Sequence, residues 1–192
     1  MISLIILAAG ESSRMGQPKQ NLVFNGKTLL QRAVETGQES KWENIIVVLG
    51  ANSSEITPIA GTITLYNQDW AEGMASSIRR AIVEVNNDLS VDKVIIMLCD
   101  QPFVSATLLN AMIDKQSETG KPIVACTYNH TIGVPVLFKR DFFSELLLLQ
   151  GDEGAKKILK NHADDMVAIP FEQGIIDIDI PTDYKQLLGL TD

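Results

Sequence analysis

Apolar residues occur along this chain in two kinds of pattern. Short apolar runs indicate strands buried in a sheet, and longer segments with apolar residues every three or four positions indicate amphipathic helices. The predicted strands cover residues 2–7, 45–49, 62–66, 94–98, 123–127, 134–138, 166–169 and 175–178. The predicted helices cover residues 28–39, 74–85, a segment that begins after Ser105, and residues 142–149, 154–160 and 181–188. Thr28 and Gln31 have the spacing of a capping box at the start of the first helix.

The order of these elements predicts the fold class. Through residue 118, strands and helices alternate with short connections, which is typical of an α/β fold with a mostly parallel, doubly wound sheet between two layers of helices. Such sheets bind ligands beyond the carboxyl ends of their strands. The loops after Leu7, Gly50, Tyr66 and Leu98 should therefore form a site. Because repeats, linkers and low-complexity tracts are absent from the sequence, we expect a single domain, 1–192.

Composition and charge narrow the class of protein. The chain has 192 residues, of which 45% are hydrophobic and 21% charged, as in ordinary globular proteins. A net charge of −8 argues against a surface that coats nucleic acid, but it permits a nucleotide ligand. Apolar runs are shorter than the ~20 residues needed to span a bilayer. Without a recognisable secretory signal, and with Cys99 and Cys126 too far apart for a metal-type pair, we expect a cytoplasmic protein.

The first predicted strand opens into a loop of small residues and cations. Ala8, Ala9 and Gly10 would let a ligand approach the backbone closely, and Arg14 and Lys19 follow. Backbone N–H groups and two cations suit a phosphate site. An ordinary strand–turn–helix with solvated cations fits the same residues.

Two groups of carboxylates are candidates for metal binding. Asp100 follows a very apolar strand at the end where ligands bind, so its charge needs a partner, and hydrated magnesium would supply one. A turn aspartate is the structural alternative. Asp177 and Asp179 should share one face of a short strand, with Ile178 opposite. Two neighbouring carboxylates repel each other unless they are solvated or bound to a cation, and a solvated strand end is the structural alternative.

A third group of residues follows the third predicted strand of the main pattern. Gly73 would allow a base or ribose to lie close to the backbone, and Ser77 lies one helical turn further on. Asn67 and Trp70 precede them in the same segment, and Trp70 is expected to serve in packing. Motifs of serine hydrolases, P-loop kinases and nicotinamide dehydrogenases are absent from the sequence.

These segments resemble the motifs of a known family. Residues 7–19 match the signature L-A-A-G-x-S-x-R-M-G-x-x-K of nucleotidyltransferases built on a Rossmann-like domain, the nucleotide-diphospho-sugar transferase type. Residues 99–102 resemble the C-D-Q-P motif of the molybdenum-cofactor branch, and residues 177–181 its D-x-D-x-P segment. Residues 133–138 and 151–155 resemble the G-x-P-x-L-F and G-D-x-G-A motifs of cytidylyltransferases that act on molybdopterin.

The resemblance implies a MobA-like nucleotidyltransferase of the cytidylyltransferase type, with a nucleotide-binding half, 1–120, and an acceptor-binding half, 121–192. Magnesium is the implied cofactor, held by Asp100 and Asp179. Arg14, Lys19 and Asp100 are the implied catalytic residues. The implied nucleotide-binding residues are Leu7, Ala8, Ala9, Gly10, Ser12, Arg14, Lys19, Asn67, Gly73 and Ser77. The implied acceptor-binding residues are Gly133, Pro135, Gly151, Asp152 and Gly154.

The expected partners are a nucleoside triphosphate and a phosphate-bearing acceptor, molybdopterin cofactor in the first instance, together with a molybdoenzyme or its chaperone. Three alternatives stay open at this point. The chain could be a guanylyltransferase for the same cofactor, or a nucleotidyltransferase for a sugar or alditol phosphate. It could also be a non-catalytic nucleotide sensor or a cofactor carrier.

Overall fold

A seven-stranded sheet forms the centre of the computed structural model, which describes residues 1–40 and 42–189. The strands are β1 (Ile2–Ala8), β2 (Val23–Phe24), β3 (Lys27–Thr28), β4 (Asn44–Leu49), β5 (Ile63–Tyr66), β6 (Lys93–Leu98), β7 (Ile123–Tyr128), β8 (Thr131–Lys139) and β9 (Met166–Pro170). The helices are α1 (Leu29–Gln38), α2 (Met74–Asn86), α3 (Ala106–Thr119), α4 (Phe143–Leu146), α5 (Lys156–Asn161) and α6 (Pro181–Gly189). Strands β2 and β3 form a separate small hairpin.

The main sheet has the order β5-β4-β1-β6-β8-β7-β9. Strands β5, β4, β1 and β6 are parallel to one another, and β9 is parallel to β7. Strand β8 runs antiparallel to both of its neighbours, β6 and β7. The predicted α/β fold with a mostly parallel sheet is therefore confirmed, with one reversed strand inside it.

Helices cover both faces of the sheet because β1 is apolar on both sides. Leu4 and Ile6 pack in one cluster with residues of α1 and α3, and Ile5 packs in the other with residues of α2 and α4. Leu4, Ile5 and Ile6 are fully buried, as expected for the central strand of a doubly covered sheet. Both clusters draw residues from before and after residue 120. The arrangement is the predicted set of three layers.

A third, smaller cluster joins the two ends of the chain. It contains Met15, Leu22, Phe24, Leu29, Ile178 and Leu187. Met15 belongs to the loop after β1, and Leu187 to α6. This cluster therefore attaches the C-terminal segment to the loop that follows the first strand.

The third cluster also explains why the predicted strand 175–178 is wrong. The chain there forms a 3-10 turn, Glu172–Ile175, and then runs on without pairing to any strand of the described residues. Ile178 is fully buried between an exposed Asp177 and a half-buried Asp179. The alternation that predicted a strand reflects this packing of one isoleucine.

Helix bounds agree with the patterns in most places and differ in the later chain. The capping box is confirmed, since the Thr28 Oγ1 accepts from the Gln31 N–H and the Gln31 Oε1 accepts from the Thr28 N–H. Ser105 also caps α3 as predicted. The predicted helix 142–149 is shorter, because a 3-10 turn occupies Arg140–Phe142 and α4 ends at Leu146. The predicted helix 154–160 begins only at Lys156.

Among residues 1–40 and 42–189, no helix is both long enough and apolar enough to cross a bilayer.

His162 connects α4 to the turn after α5 through two carboxylates. Its Nε2 lies 3.0 Å from Glu145 Oε2, and its Nδ1 lies 3.2 Å from Asp165 Oδ2. The hydrogen bond to Asp165, followed by that to Glu145, raises the pKa of His162 above its ordinary value. The imidazolium therefore binds its proton more tightly in the folded protein than in the unfolded chain.

We predict that this histidine makes stability depend on pH above about 6.5, the ordinary pKa of histidine. Because the folded pKa is raised, the contribution is fully present below the unfolded value near 6.5 and is lost as pH rises through the folded value. His162→Gln should lower the free energy of unfolding by up to about 1 kcal/mol at pH 5.5, since exposed ion pairs contribute little. At pH 8.5 the variant should match the wild type. Urea unfolding at both pH values measures this, and an equal loss at both would contradict the assignment.

Candidate active site

A cleft of about 500 Å³ lies beyond the carboxyl ends of β1 and β6. The end of β1 and the loop after it form one wall, and the ends of β6 and of the C-terminal extended segment form another. The turn before α2 and the first turn of α2 form the third wall. Trp70, Gly73 and Ser77 belong to this wall. This is the position at which open α/β sheets bind ligands.

The loop after β1 is held in shape by side chains that contact its backbone. The Gln20 Nε2 donates to the Ala8 carbonyl at 2.6 Å and to the Gly10 carbonyl at 3.3 Å. The Ser12 hydroxyl accepts from the Lys19 N–H at 3.1 Å, which closes the loop. Ser12 itself has a φ of 60°, in the left-handed region that few residues adopt. These contacts fix the backbone from which Arg14 and Lys19 extend.

Lys19 lies between two carboxylates from distant parts of the chain. Its Nζ is 3.1 Å from Asp100 Oδ2 and also donates to Asp179 Oδ1. The Lys19 and Asp100 side chains are only 15% and 17% exposed, whereas Asp179 is 41% exposed. Arg14 is 74% exposed, and its Nη1 lies 3.9 Å from Asp179 Oδ2. In the sequence these four residues belong to separate motifs. In the structure they lie around one point.

Burial and neighbouring charge shift the pKa values of these groups in different directions. Burial raises the pKa of Asp100, and the nearby Lys19 ammonium only partly offsets this effect. Burial and the neighbouring Asp179 also raise the pKa of Asp177. The hydrogen bond from Lys19 lowers the pKa of Asp179. For Lys19, burial lowers the pKa, but the attraction of Asp100 and the hydrogen bonds to both carboxylates raise it overall.

The carboxylates at this point suit a hard divalent cation. Asp100 Oδ1 is buried and has no hydrogen-bond partner among the described residues, so one oxygen of this carboxylate is unsatisfied. Within the described ranges, no three His, Cys, Asp or Glu side chains are grouped closely enough to hold a metal by themselves. Magnesium is commonly bound by one or two carboxylates together with substrate phosphates. Asp100 and Asp179 fit that kind of shared site better than a site built from protein ligands alone.

Asp183 positions the backbone that carries Asp179. Its Oδ2 accepts from the Asp179 N–H at 3.0 Å and from the Ile180 N–H at 2.9 Å. Pro181 then starts α6, a usual position for proline. Asp177 lines the cleft as well, and both aspartates lie on the side opposite the buried Ile178.

Asn67 supports the cleft from behind. It is 5% exposed and lies outside the cleft lining. Its Nδ2 donates to Ser76 Oγ at 2.8 Å and to Ser77 Oγ at 3.0 Å, while its Oδ1 accepts from the Asp69 N–H at 3.0 Å. Ser77 lines the cleft, so Asn67 acts on the cleft through Ser77.

Gly73 allows a close approach between two loops of the protein. Its φ of 123° is unfavourable for other residues, and a Cβ there would collide with the Gly151 carbonyl and would lie 2.5 Å from Asp152 Oδ1. The Gly151 carbonyl also accepts from the Ala75 N–H at 3.1 Å. The backbone approach at Gly73 is thus made by the loop 151–152, and it brings Asp152 to the edge of the cleft.

The other predicted acceptor residues lie outside the cleft lining. Gly133 packs against the Tyr128 hydroxyl, Pro135 lies within β8, and a Cβ on Gly154 would lie 3.1 Å from Met74 Sδ. Twelve of the predicted site residues do line the cleft: Leu7, Ala8, Ala9, Gly10, Ser12, Arg14, Lys19, Gly73, Ser77, Asp100, Asp152 and Asp179. The sequence analysis missed Gln20, a buried polar residue with no distinguishing motif, and named Trp70 only for packing.

The fold and the cleft define an α/β nucleotidyltransferase, with a phosphate-type loop and paired carboxylates at the ends of parallel strands. Comparison with family models gives the same result, because residues 4–166 match the MobA-like NTP transferase domain. The chain belongs to this family.

Individual relatives match over nearly the whole chain. The purine catabolism protein PucB of Bacillus subtilis is 26% identical, over 95% of this chain and 94% of that protein. The crystal structure of Rv0371c from Mycobacterium tuberculosis is 30% identical, with a TM-score of 0.87, over 98% of this chain and 97% of the other. Rv0371c has also been solved in complex with manganese, and that structure is 28% identical over 98% of both chains, with a TM-score of 0.82.

More distant structures share the fold alone. A 4-diphosphocytidyl-2C-methyl-D-erythritol synthase from Anaerococcus prevotii is 16% identical with a TM-score of 0.78, over 99% of this chain and 95% of that one. The molybdopterin-guanine dinucleotide biosynthesis protein A of Archaeoglobus fulgidus is 16% identical with a TM-score of 0.71, over 98% of both chains. A divalent metal is consistent with the manganese complex and with the donors in this cleft.

We predict that Asn67→Ala destabilises the protein by about 1–3 kcal/mol, because it leaves buried polar groups around Ser77 without their partner. The matched control is Asn21→Ala, which removes a single 3.0 Å bond to the Glu55 carbonyl at the exposed surface. That control should change the free energy of unfolding by about 0.5 kcal/mol or less. Chemical denaturation of both variants provides the measurement, and similar losses would show that the network around Asn67 has no special weight.

Proposed function

We propose that this protein is a magnesium-dependent nucleotidyltransferase that transfers CMP from CTP to the phosphate of molybdopterin cofactor and releases pyrophosphate. The observation that carries the proposal is the position of Lys19, a largely buried cation between Asp100 and Asp179 in a cleft that is also lined by the loop after β1. A cytoplasmic location and contact with a molybdoenzyme or its chaperone belong to the same proposal.

The proposed reaction needs positioning and charge neutralisation rather than a covalent enzyme intermediate. An oxygen of the acceptor phosphate attacks the α-phosphorus, and the bond to the pyrophosphate oxygen breaks on the opposite side. The Arg14 side chain is largely exposed, so it can move with the bound phosphates. Its guanidinium can bind two oxygens at once. Lys19 stabilises charge that develops on the transferring and leaving groups.

Asp100 and Asp179 would hold the metal, which supplies further charge neutralisation on phosphate oxygens when bound. Asp100 has the buried, unpartnered Oδ1 that such a ligand needs. The alternative second ligand, Asp177, is exposed, and its backbone lacks a hydrogen bond to Asp183 like the one that the Asp179 N–H donates. These differences favour Asp179.

The backbone of Ala8, Ala9 and Gly10 is proposed to hold the base and ribose. A Cβ added to Gly10 would meet no protein atom within 4 Å, so the space next to this glycine is open to a ligand. Ser77 lies across the cleft and adds a polar contact. Residues 1–120 would thus bind the nucleotide, and residues 121–192 would present Asp152 and its loop toward the acceptor.

The choice of CTP and molybdopterin rests on the motifs of residues 99–102, 133–138 and 151–155. The name of the Archaeoglobus fulgidus structure links this fold to molybdopterin, but with guanine, and the name of PucB links a nearer relative to purine catabolism. A guanylyltransferase therefore stays the first alternative, and a sugar-phosphate or alditol-phosphate enzyme the second. A nucleotide sensor or a cofactor carrier would not need Arg14, Lys19, Asp100 and Asp179 around one point.

Pyrophosphate release tests the proposal directly. We expect release with CTP, magnesium and molybdopterin cofactor, and little with GTP, ATP, UTP or a panel of sugar phosphates. Asp100→Asn should reduce turnover by about 100-fold or more, equivalent to at least ~2.7 kcal/mol in the barrier, because an amide removes the buried charge at this point. Asp164→Asn, whose side chain does not line the cleft, is the matched control and should keep wild-type turnover.

Each contrary outcome of this assay removes a different part of the proposal. A preference for GTP would overturn the base, and release that follows a sugar phosphate would overturn the acceptor. Nucleotide binding without pyrophosphate release for any acceptor would indicate a sensor. Activity of Asp100→Asn within threefold of the wild type would exclude Asp100 from the mechanism.

Gly10→Ala tests where the nucleotide lies. Because a methyl group there would touch no protein atom, the free energy of unfolding should change by about 0.5 kcal/mol or less. The same methyl group would occupy space proposed for the nucleotide, so the Kd for CTP should rise about tenfold or more. Gly189→Ala in α6, which is equally open, is the control and should leave the Kd unchanged. Calorimetric titration measures both, and an unchanged Kd for Gly10→Ala would place the nucleotide elsewhere.

A further inference from the structure

Lys19 occupies the position between the two carboxylates that are proposed to bind the metal. Its Nζ donates to Asp100 Oδ2 at 3.1 Å and to Asp179 Oδ1. The bridge is shielded from solvent on the side of Asp100 and Lys19, which are 17% and 15% exposed. A single cation of the protein itself therefore pairs with both carboxylates and offsets part of their charge.

We propose that Lys19 is an internal counter-ion that competes with the divalent metal for Asp100 and Asp179, and that the triphosphate relieves this competition by drawing the ammonium away. The inference rests on the proposed function in one respect, the assignment of these two aspartates as metal ligands. It adds that binding of the metal depends on binding of the nucleotide. The two carboxylates bind the metal weakly when the nucleotide is absent and strongly when it is present.

The geometry favours competition between the Lys19 ammonium and the divalent metal over simultaneous binding of both. An ammonium and a divalent metal that bound the same two carboxylates would lie within a few ångströms of each other, where like charges in a shielded site repel strongly. Lys19 also takes up one oxygen of each carboxylate as a hydrogen-bond donor. Metal binding between them therefore requires the Lys19 side chain to move.

The structure also shows that such a movement is local. The backbone of Lys19 is fixed by the hydrogen bond from its N–H to Ser12 Oγ, so only the side chain has to change direction. The side chain lines the same cleft as Arg14, where the phosphates are proposed to bind. Phosphate oxygens offer the ammonium a replacement for both carboxylates.

The Lys19 bridge leaves one carboxylate oxygen of Asp100 without a hydrogen-bond partner among the described residues. Lys19 contacts Oδ2, whereas Oδ1 is buried and has no hydrogen-bond partner in residues 1–40 and 42–189. A buried oxygen without a partner costs free energy, and a metal would supply that partner. Lys19 is thus an adequate counter-ion for the free protein and an incomplete substitute for the metal.

Manganese binding without nucleotide tests the competition, followed by the electron paramagnetic resonance signal of free Mn²⁺. We expect Lys19→Met and Lys19→Gln to bind Mn²⁺ at least tenfold more tightly than the wild type. Lys27→Met is the matched control, because Lys27 pairs with Glu35 at 2.6 Å on the surface, and it should leave the affinity unchanged. Adding Asp100→Asn to Lys19→Met should abolish the gain. Equal or weaker binding by folded Lys19 variants would overturn the proposal.

Chemical labelling of the wild-type protein decides the matter if both Lys19 variants fail to fold. Reductive methylation followed by peptide mapping should modify Lys19 more slowly than the exposed Lys27. If Mn²⁺ binds to the wild-type protein, the rate at which Lys19 is methylated should rise. If Mn²⁺ binds only together with CTP or another triphosphate, the proposal is supported as well. Bound Mn²⁺ with an unchanged Lys19 rate, in the absence of nucleotide, would overturn it.

Failure of this inference differs from failure of the proposed function. If folded Lys19 variants gain Mn²⁺ affinity but the wild type releases no pyrophosphate with any acceptor, the competition stands and the transferase proposal fails. If the wild type transfers nucleotide and the folded variants gain no affinity, the transferase proposal stands and the competition is wrong.

Discussion

The ammonium of Lys19 joins three parts of the chain that are far apart in sequence. Asp100 lies 81 residues away at the end of β6, and Asp179 lies 160 residues away before α6. A buried carboxylate is costly unless it is paired, and removal of one partner exposes the other to that cost. The bridge therefore requires the loop after β1, the end of β6 and the C-terminal segment to meet at one point. Arg14, 3.9 Å from Asp179, lies at the same point.

Ordinary packing makes this meeting possible. Gln20 and Ser12 hold the loop from its own side, through the carbonyls of Ala8 and Gly10 and the N–H of Lys19. The third hydrophobic cluster holds it as well, because Met15 belongs to that cluster together with the C-terminal residues Ile178 and Leu187. Met15 and Lys19 belong to the same signature, yet one acts through apolar packing and the other through charge. A fixed position in a motif can therefore serve the loop without touching a ligand.

The sequence predicted the parts of the fold that depend on burial. Strand β1 is apolar on both faces, and its loop is expected at the ligand-binding edge because neighbouring strands are parallel. The capping box of Thr28 and Gln31 is equally local. The direction of a strand and the strands that it pairs with cannot be predicted in this way, because an apolar run has the same pattern in either direction. For this reason the reversed β8 was not predicted, and the buried Ile178 was assigned to a strand that does not exist.

The candidate site was predicted where charge and backbone conformation determine it, and not where hydrogen bonding does. Asp100 was identified because a carboxylate after a buried strand needs a partner, Arg14 and Lys19 because they follow a loop of small residues, and Asp179 because of the family resemblance. Gln20 was missed because a buried amide has no sequence pattern of its own. Asn67 was identified as a ligand residue, whereas its three hydrogen bonds in the structure go to Ser76, Ser77 and the Asp69 backbone. The chemistry of such an amide is decided by contacts that only the folded chain shows.

The charge balance of the cleft connects the metal to the proposed reaction. Two cationic side chains line the cleft, Arg14 and Lys19, against five carboxylates. Those carboxylates are Glu11, Asp100, Asp152, Asp177 and Asp179. A triphosphate and an acceptor phosphate would add more negative charge to a cleft that is already acidic, so the two cations cannot neutralise both substrates. A divalent metal that arrives with the nucleotide reduces this excess, and it also gives the two carboxylates beside Lys19 a new partner when the ammonium turns to the phosphates. On this basis the acidity of the cleft makes binding of either phosphate substrate depend on the metal.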